Sequence, residues 1–336
     1  MCGVNADQIA SHPGRRPARP GAPRRDRDNR PMSSPVPPSA ALSRIAFATL
    51  LLIAFMMGAN HVAARLAFDH GVDVPTAIAF RSGVTALAVA ALLLAQRAPW
   101  HLSAGERKAM PAIGLLIAAQ SYCLYSSVAR LPVALALLAF NTYPLWTALW
   151  ARALYRHRPE RRVLIAMPVL LAGLALALDV LGAASGLGAG AQWSRIGAGV
   201  AFAVSAAAIF GLALVLTQHE AGRLDGRLRT AITMALVAVL AGAVIALQGG
   251  PRLPTAAAGW IGLAALTFLY GTAFTIMFTV LPKLGVVGNS AIMNVEPIFA
   301  LALAWLLLGQ AISPLQVAGG LIVVATVVAL GLRRPR

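Results

Sequence analysis

The sequence predicts an all-α integral membrane protein with ten transmembrane helices in two inverted five-helix repeats. The first observation is composition, because 59% of the 336 residues are hydrophobic and only 12% are charged, whereas soluble domains carry about 25% charged residues. The second is a series of ten apolar runs, each near the roughly 20 residues that a helix needs to cross a bilayer. The third is a weak internal repeat with a period of 153 residues, a feature common in membrane proteins built from repeated halves.

The first 42 residues differ in composition from the rest of the chain. The stretch SHPGRRPARPGAPRRDRDNRPMSSPVPPSA is rich in Pro, Arg, Gly and Ser and has too few apolar residues to form a core. It predicts a disordered basic cytoplasmic tail over residues 1–42. The apolar run that follows is too long for a cleaved signal peptide and is expected to be a retained anchor. Met1 and Met32 both remain candidate start residues.

The ten apolar runs are interpreted as spans one to ten. The first five spans form a repeat over residues 43–180, and the last five form a second repeat over 196–332. A Gly-rich connector, residues 181–195, joins the repeats, and residues 333–336 form a short cytoplasmic tail. The spans are predicted near 45–68, 74–95, 109–129, 132–154, 162–180, 196–217, 230–248, 256–281, 286–308 and 313–332.

The net charge of +17 follows the predicted topology. If the spans alternate from a cytoplasmic N-terminus, 23 of the 28 basic residues lie on the cytoplasmic side, and only Arg130, Arg195 and Arg252 lie outside. Positive residues are enriched in the cytoplasmic connections of membrane proteins. We therefore expect both termini in the cytoplasm and predict no nucleic acid partner.

The internal repeat is clearest around two prolines. A shift of 153 residues places RLPVALALLAFNTYPLWTALW over KLGVVGNSAIMNVEPIFALAL without a gap. It pairs Asn141 with Asn294, Pro144 with Pro297, and Gly58 with Gly211. Five spans are an odd number, so the two repeats would cross the membrane in opposite directions. Each proline lacks a backbone donor, so we predict helix breaks at Pro144 and Pro297 near the midplane.

Four stretches carry a resemblance to a known family: LIAFMMGANHVAARLA, IAFRSGVTALAVAALLL, NTYPLWTALWARAL and NVEPIFALALAWLLLGQAISPLQVAGGLIVVA. In their order and doubling, residues 45–332 resemble the drug/metabolite transporter superfamily, specifically its EamA-type ten-helix members. Where that family usually carries Gly-Glu after the fourth and ninth helices, this chain has Arg156-His157 and Gly309-Gln310. The resemblance implies an inner-membrane carrier of small organic metabolites, most often an exporter of amino acids or similar compounds, and no enzyme.

Polar side chains within the predicted spans are the candidate substrate-binding residues, because polar groups in hydrocarbon are costly and usually functional. They are Asn60, His61, Arg81, Gln120, Tyr122, Tyr125, Asn141, Tyr143, Asn294 and Glu296. For His61, a packed histidine and a proton relay both stay open, and for the tyrosines, packing and substrate contact both stay open. Arg65 is expected to reach the outer surface. For Arg81, reaching the surface and lining a cavity are equally open.

Glu296 is the carboxylate that lies deepest in the predicted spans. It is about ten residues into span nine, or roughly 15 Å at a rise of 1.5 Å per residue. Three roles stay open at this stage: it binds a substrate ammonium, it carries a proton, or it pairs with Arg81 to hold two helices together. Arg81 is near enough in depth for the last role if spans two and nine are neighbours.

Other function classes fit the sequence less well. A lipid-linked or nucleotide-sugar carrier of the same superfamily needs a cationic cavity, for which Arg65 and Arg81 are the candidates. A membrane enzyme needs a cluster of histidines and carboxylates, and a sensor needs a soluble output domain. We expect no cofactor, no metal and no disulfide between Cys2 and Cys123. The expected partners are a small-molecule substrate and the lipid bilayer, with protons as a candidate coupling ion. Substrate identity, direction and oligomeric state stay open.

Overall fold

The computed structural model describes residues 44–98, 100–157, 161–183, 185–280, 295–310 and 312–331. Within these residues the chain forms eleven α-helices and no strand. The helices are α1 (Arg44–Asp69), α2 (Val74–Ala95), α3 (Ala104–Val128), α4 (Val133–Phe140), α5 (Tyr143–Tyr155), α6 (Arg161–Ala177), α7 (Ala189–Glu220), α8 (Gly226–Leu247), α9 (Ala257–Thr279), α10 (Glu296–Leu308) and α11 (Pro314–Gly331). The all-helical expectation is confirmed for this part of the chain. The two predicted tails and Asn294 lie outside the described residues.

Seven segments among the described residues are long and apolar enough to cross a membrane, judged by length and composition, with α4 and α5 counted as one. Three shorter apolar helices, in α6, α10 and α11, accompany them. Large apolar side chains such as Leu87, Ile261 and Trp305 stand exposed on the outside of these helices. Such surfaces suit lipid rather than water. The fold is therefore that of a multi-pass membrane protein.

Three helices, α3, α7 and α8, begin several residues earlier than the apolar runs predict; α8 begins at Gly226, after its N-cap Asp225, instead of near residue 230. A capping box starts α3, because Ser103 accepts from the backbone N–H of Glu106 and the Glu106 carboxylate accepts from the N–H of Ser103. This arrangement satisfies donors that a helix end leaves free, so α3 extends over polar residues that a hydropathy count rejects. Helix α7 begins at Ala189 after Gly188. Residues 189–195, assigned above to the connector, are consequently helical, because small and polar residues form helix without being apolar.

The fourth predicted span consists of two helices. Helix α4 ends at Phe140, and α5 begins at Tyr143 with Pro144 in its first turn. Helix α10 begins at Glu296 with Pro297 in the same position. A shift of 153 residues carries α5 onto α10 from end to end. It also carries Arg156 onto Gly309, and both adopt a left-handed backbone conformation, with φ of 55° and 63° respectively.

The helices pack in pairs that are exchanged by the same shift. Helix α1 packs against α9 and α10. Its equivalent, α7, packs against α3 and α5, which are the equivalents of α9 and α10. Helix α2 packs against its equivalent α8, and α6 packs against its equivalent α11. Each of these pairs joins a helix from the first half of the chain to one from the second half. The two halves are thus interleaved, and their helices share a common interior.

Candidate functional site

Buried polar side chains meet where α1, α2, α3, α9 and α10 converge. Asn60 and Tyr125 have no exposed surface, and His61 and Arg81 are 4% and 3% exposed. Polar groups at such burial need specific partners, because desolvation without a hydrogen bond costs roughly 1–3 kcal/mol by mutational measures. We call the set the polar cluster; its members are Asn60, His61, Arg81, Gln120, Ser121, Tyr125, Tyr270 and Glu296.

The acidic end of the polar cluster is a pair formed by His61 and Glu296. Nε2 of His61, on α1, lies 3.2 Å from Oε1 of Glu296, in the first turn of α10. A ring nitrogen and a carboxylate oxygen at this distance need a proton on one of them. The Glu296 side chain is 23% exposed, and Nδ1 of His61 has no hydrogen-bond partner among the described residues.

The approach of α10 to α1 depends on Gly58. A Cβ at this position would lie 2.9 Å from the carbonyl oxygen of Glu296 and 3.1 Å from the backbone nitrogen of Ala300. Because both atoms belong to backbone, any larger side chain would separate the helices. Gly58 precedes His61 by three residues, or nearly one helical turn. It therefore lets the carboxylate of Glu296 come within hydrogen-bond distance of the imidazole.

The basic end of the polar cluster is Arg81 on α2. Its Cζ lies 4.5 Å from the ring centroid of Tyr125 and 4.0 Å from that of Tyr270. Both distances are within the range of cation–π attraction. The guanidinium also donates to the Tyr125 hydroxyl at 3.1 Å and to the Ser121 hydroxyl at 2.9 Å. Two aromatic rings and two hydroxyl groups thus hold the cation inside the bundle.

Each of the two hydroxyl groups in turn donates a hydrogen bond to a neutral amide. Tyr125 donates its hydroxyl proton to Oδ1 of Asn60 at 3.1 Å, and Ser121 donates to Oε1 of Gln120 at 3.5 Å. The ring of Tyr125 also packs edge to face with the His61 imidazole, with centroids 5.7 Å apart. Tyr125 therefore links the acidic and basic ends of the polar cluster.

The ion pair between Arg81 and Glu296, one of the three roles left open above, is not formed. Glu296 contacts His61, and the described ion pairs of the chain do not include Arg81. The reason is geometric, because the rings of Tyr125 and Tyr270 and the Ser121 hydroxyl hold the guanidinium among α2, α3 and α9. The two charged groups occupy separate ends of one cluster.

The remaining candidates fall outside the polar cluster. Asn141 is 8% exposed at the end of α4. Tyr143 packs against Phe140 and Phe210, with centroid distances of 5.7 and 5.2 Å. Tyr122 is 42% exposed on α3, one position after Ser121 and so turned to another face of the helix. Asn294 lies outside the described residues.

Arg65 lies at the end of α1, away from the polar cluster. Its Nε donates to Asp69 at 2.9 Å, and its NH1 donates to the carbonyl oxygens of Val128 and Leu131 at 3.0 and 3.3 Å. It therefore stabilises the C-terminal end of α3. Gln310, at the departure from the usual Gly-Glu pattern, accepts from the backbone N–H of Val133 at 3.0 Å. Its neutral side chain caps the first turn of α4.

Two members of the polar cluster were missed by sequence reasoning. Ser121 gives no signal by its type, although it lies four residues before Tyr125 and thus on the same face of α3. Tyr270 belongs to α9, whose other polar residues are mostly threonines. Its hydroxyl lies 3.8 Å from the sulfur of Met234. Only the crossing of α2 and α9 places its ring against Arg81.

The charged members of the polar cluster have no charged counterpart at the equivalent positions. A shift of 153 residues replaces Asn60 by Ala213, His61 by Leu214, Arg81 by Met234, Gln120 by Ala273, Ser121 by Phe274 and, in the reverse direction, Glu296 by Tyr143. The close glycine crossing does recur, because a Cβ on Gly211 would lie 2.7 Å from the backbone nitrogen of Thr147. The helix packing is thus repeated, whereas the charged groups occur once.

Comparison with known proteins agrees with this fold. The sequence profile of the EamA-like transporter family matches residues 44–178 and 197–332. The threonine/homoserine exporter RhtA of Salmonella typhimurium (strain SL1344) is 26% identical over 247 residues, which cover 70% of this chain and 76% of that protein. RhtA of Escherichia coli (strain K12) is 27% identical over 246 residues with the same coverage. A crystal structure with 19% identity covers 86% of this chain and 98% of its own, with a TM-score of 0.54. At that identity it shows the fold alone.

Proposed function

The chain belongs to the EamA-like transporter family, and we propose that it is a secondary transporter that exports small organic metabolites, such as amino acids, across the inner membrane. The observation that carries this proposal is the polar cluster. It holds an arginine and a glutamate–histidine pair inside an apolar helical bundle. Charged groups within membrane-spanning helices usually mark the path of a substrate or an ion. Two proteins of similar sequence are threonine/homoserine exporters, which supports the same class.

The proposed topology has ten spans in two inverted repeats, over residues 43–180 and 196–332, with both termini in the cytoplasm. The exchange of helix partners under a shift of 153 residues supports two equivalent halves. The distribution of basic residues supports the orientation. A five-span repeat reverses direction between its two copies, which is the arrangement found in many secondary transporters.

The proposed mechanism is alternating access around a central cavity between the halves, without ATP. The polar cluster suits this mechanism because the His61–Glu296 pair joins α1 of the first half to α10 of the second half. Asn141, Tyr143 and Asn294, together with the helix ends at Pro144 and Pro297, are proposed to line the same cavity from the broken spans. Movement of the halves would separate His61 from Glu296 and free the carboxylate for an ammonium group or for a proton.

The alternative cargo, a lipid-linked or nucleotide-bearing sugar, receives less support. Phosphate groups are usually bound by several cationic side chains. Of the two arginines available, Arg65 is paired with Asp69 and bound to backbone carbonyls at the end of α3. Arg81 is left as the cation of the polar cluster.

The test is transport by the purified protein in lipid vesicles. We expect uptake of at least one of L-threonine, L-homoserine and the other amino acids in a panel, and we expect a pH gradient to change its rate. Vesicles without protein and vesicles with Glu296→Gln protein serve as controls. If no amino acid or related metabolite in the panel is transported under either condition, the proposed function is wrong.

A further inference from the structure

We propose that Arg81 binds the carboxylate group of the substrate, so that the cargo is an anion or a zwitterion rather than a simple amine. The proposal rests on the transport function above and assigns one part of the cargo to one residue. In this proposal the two ends of the polar cluster have different roles. Arg81 recognises the carboxylate, and the His61–Glu296 pair lies at the opposite end.

The first argument is charge. Arg81 is 3% exposed, and none of the carboxylates among the described residues lies within 4.0 Å of it. A buried ion without an opposite charge is strongly unfavourable, because its desolvation is not compensated. The rings of Tyr125 and Tyr270 attract the cation but carry no net charge. An anionic group of a substrate would supply the missing charge.

The second argument is hydrogen bonding. NH1 and NH2 of Arg81 donate to two hydroxyl groups, which donate in turn to the amide oxygens of Asn60 and Gln120. Both chains of hydrogen bonds end on neutral acceptors. Nε of Arg81 has no acceptor among the described residues. The guanidinium therefore keeps donor capacity that its protein surroundings do not use.

The third argument is shape. Tyr125 and Tyr270 present their ring faces to the guanidinium, and the donor without a partner is Nε, on one edge of the group. The edge is where the parallel N–H groups of arginine bind the two oxygens of a carboxylate. Because Arg81 is almost fully buried, the ligand would reach it in a more open conformation of the two halves. A lysine would lack the planar fork and would stack less well between the rings.

The opposite end of the polar cluster completes the recognition of a zwitterion. His61 and Arg81 both contact the ring of Tyr125, and Glu296 lies beside His61. A small molecule with a carboxylate and a nearby ammonium would place these groups toward Arg81 and Glu296 respectively. The positions equivalent to Arg81 and His61 are apolar, Met234 and Leu214, and the position equivalent to Glu296 is the uncharged Tyr143. The proposed site therefore binds its ligand in one orientation, with the carboxylate toward Arg81 and the ammonium toward Glu296.

A purely structural role for Arg81 makes different predictions. In that case the guanidinium only holds α2, α3 and α9 together, and its loss would lower stability. Affinity for all ligands would then fall in the same proportion. Recognition of a carboxylate instead predicts that Arg81 changes the ratio of affinities between a carboxylate and its neutral amide.

The experiment measures binding of L-threonine and L-threoninamide to the purified protein in lipid nanodiscs. The amide keeps the ammonium and the size but lacks the negative charge. We expect wild-type protein to bind L-threonine at least tenfold more tightly than L-threoninamide, which corresponds to about 1.4 kcal/mol. Arg81→Met introduces the residue found at the equivalent position 234 and should reduce the ratio to less than twofold. Arg130→Met is the matched control, because Arg130 also stacks on an aromatic ring, that of Phe202, outside the polar cluster; it should keep the wild-type ratio.

Several outcomes would overturn the proposal. The proposal is wrong if wild-type protein binds L-threonine and L-threoninamide with nearly equal affinity. It is also wrong if Arg81→Met protein folds and keeps the wild-type ratio of the two affinities. If Arg81→Met does not fold, Arg81→Lys is judged by the same ratio, which should fall at least threefold. Failure of the transport function is recognised separately, when neither amino acid nor amide binds. Binding of 3-hydroxybutyrate and of 3-hydroxybutyramide then tests the role of Arg81. If the acid binds more tightly than the amide and this preference depends on Arg81, the inference is retained. If the two bind equally, or neither binds, the inference is wrong.

Discussion

Nε2 of His61 lies 3.2 Å from Oε1 of Glu296, so the first half of the chain contacts the second half through a polar pair. The contact depends on the close crossing of α1 and α10 at Gly58. At the equivalent crossing of α7 and α5 near Gly211, the positions that correspond to His61 and Glu296 are Leu214 and Tyr143. One crossing therefore carries titratable groups, and the other carries an apolar and an aromatic side chain.

The first prediction concerns Glu296. Substitution by Gln keeps the size of the side chain but removes its charge and its titration, and we expect transport to fall at least tenfold. Substrate binding and the response to a pH gradient are measured together. Weaker binding indicates recognition of an ammonium, whereas intact binding with a lost pH response indicates proton transfer. Glu220→Gln is the control, because that carboxylate accepts from Tyr155 at the exposed end of α7. Unchanged affinity and pH response in Glu296→Gln would refute both roles.

The second prediction concerns topology. Reporter fusions should place residues 96–108 and 155–162 in the cytoplasm and residues 181–194 outside. The basis is the asymmetric distribution of basic residues, which membrane insertion follows. The measurement is the activity of a reporter that works on one side of the membrane only, paired with a second reporter for the other side. A cytoplasmic position for 181–194 is incompatible with inverted repeats.

The third prediction concerns the paired asparagines. Asn141→Leu and Asn294→Leu should each weaken substrate binding about tenfold, because a lost hydrogen bond to a charged group is worth roughly 1.5–3 kcal/mol. Both proteins should remain folded in the membrane, since leucine suits an apolar helix. Binding and expression level are measured for each variant. Normal transport by both would show that the broken spans do not line the substrate site.

The fourth prediction concerns the two close helix crossings. Gly58→Ala and Gly211→Ala should each destabilise the protein by about 1–3 kcal/mol, because the added Cβ meets backbone atoms that cannot rotate away. The distances are 2.9 Å to the oxygen of Glu296 and 2.7 Å to the nitrogen of Thr147. Gly242→Ala is the matched control, since a Cβ there meets no atom within 4 Å. Thermal unfolding in detergent should show no loss for that variant, because alanine favours helix over glycine.

The fifth prediction concerns Gln310, which accepts from the backbone N–H of Val133. Gln310→Leu should lower stability by about 1–3 kcal/mol, because it leaves a buried donor without a partner. Gln310→Glu should retain stability or raise it by about 0.3–1 kcal/mol, since negative charge is favourable at a helix N-terminus. Thermal unfolding is the measurement, with Gln248→Leu at an exposed helix end as control. Equal stability of the Leu and Glu variants would mean that the cap contributes nothing.

The sequence was sufficient for the class of fold and for most helix positions, because apolar length and a gapless repeat are properties of the chain itself. It placed the starts of α3, α7 and α8 too late. Polar capping residues and small residues can begin a helix because of the hydrogen bonds they allow, and a hydropathy count does not measure these bonds. The Ser103–Glu106 capping box could have corrected the first of these boundaries.

The candidate site could be predicted by residue type and depth, but not by contact. Six of the proposed residues meet in the polar cluster: Asn60, His61, Arg81, Gln120, Tyr125 and Glu296. Which side chains meet depends on how helices distant in the sequence cross and on their rotation about their axes. For this reason, pairing with Arg81 was only one of three roles left open for Glu296 by the sequence, and the carboxylate pairs in space with His61. Tyr122 and Ser121 differ by one position, and that single step separates an exposed residue from a member of the cluster.

The charged groups of the polar cluster each occur at only one of two equivalent positions in the halves, and this has an evolutionary consequence. Two EamA-like segments with the same helix packing could acquire a binding group at one of two equivalent positions, while the residue at the other position keeps only its packing role. Changes of cargo among descendants then need mutations at few positions, chiefly on α1, α2 and α3. Selection experiments that seek new substrates should therefore recover mutations around Arg81 and Tyr125, while the glycine crossings at Gly58 and Gly211 stay invariant.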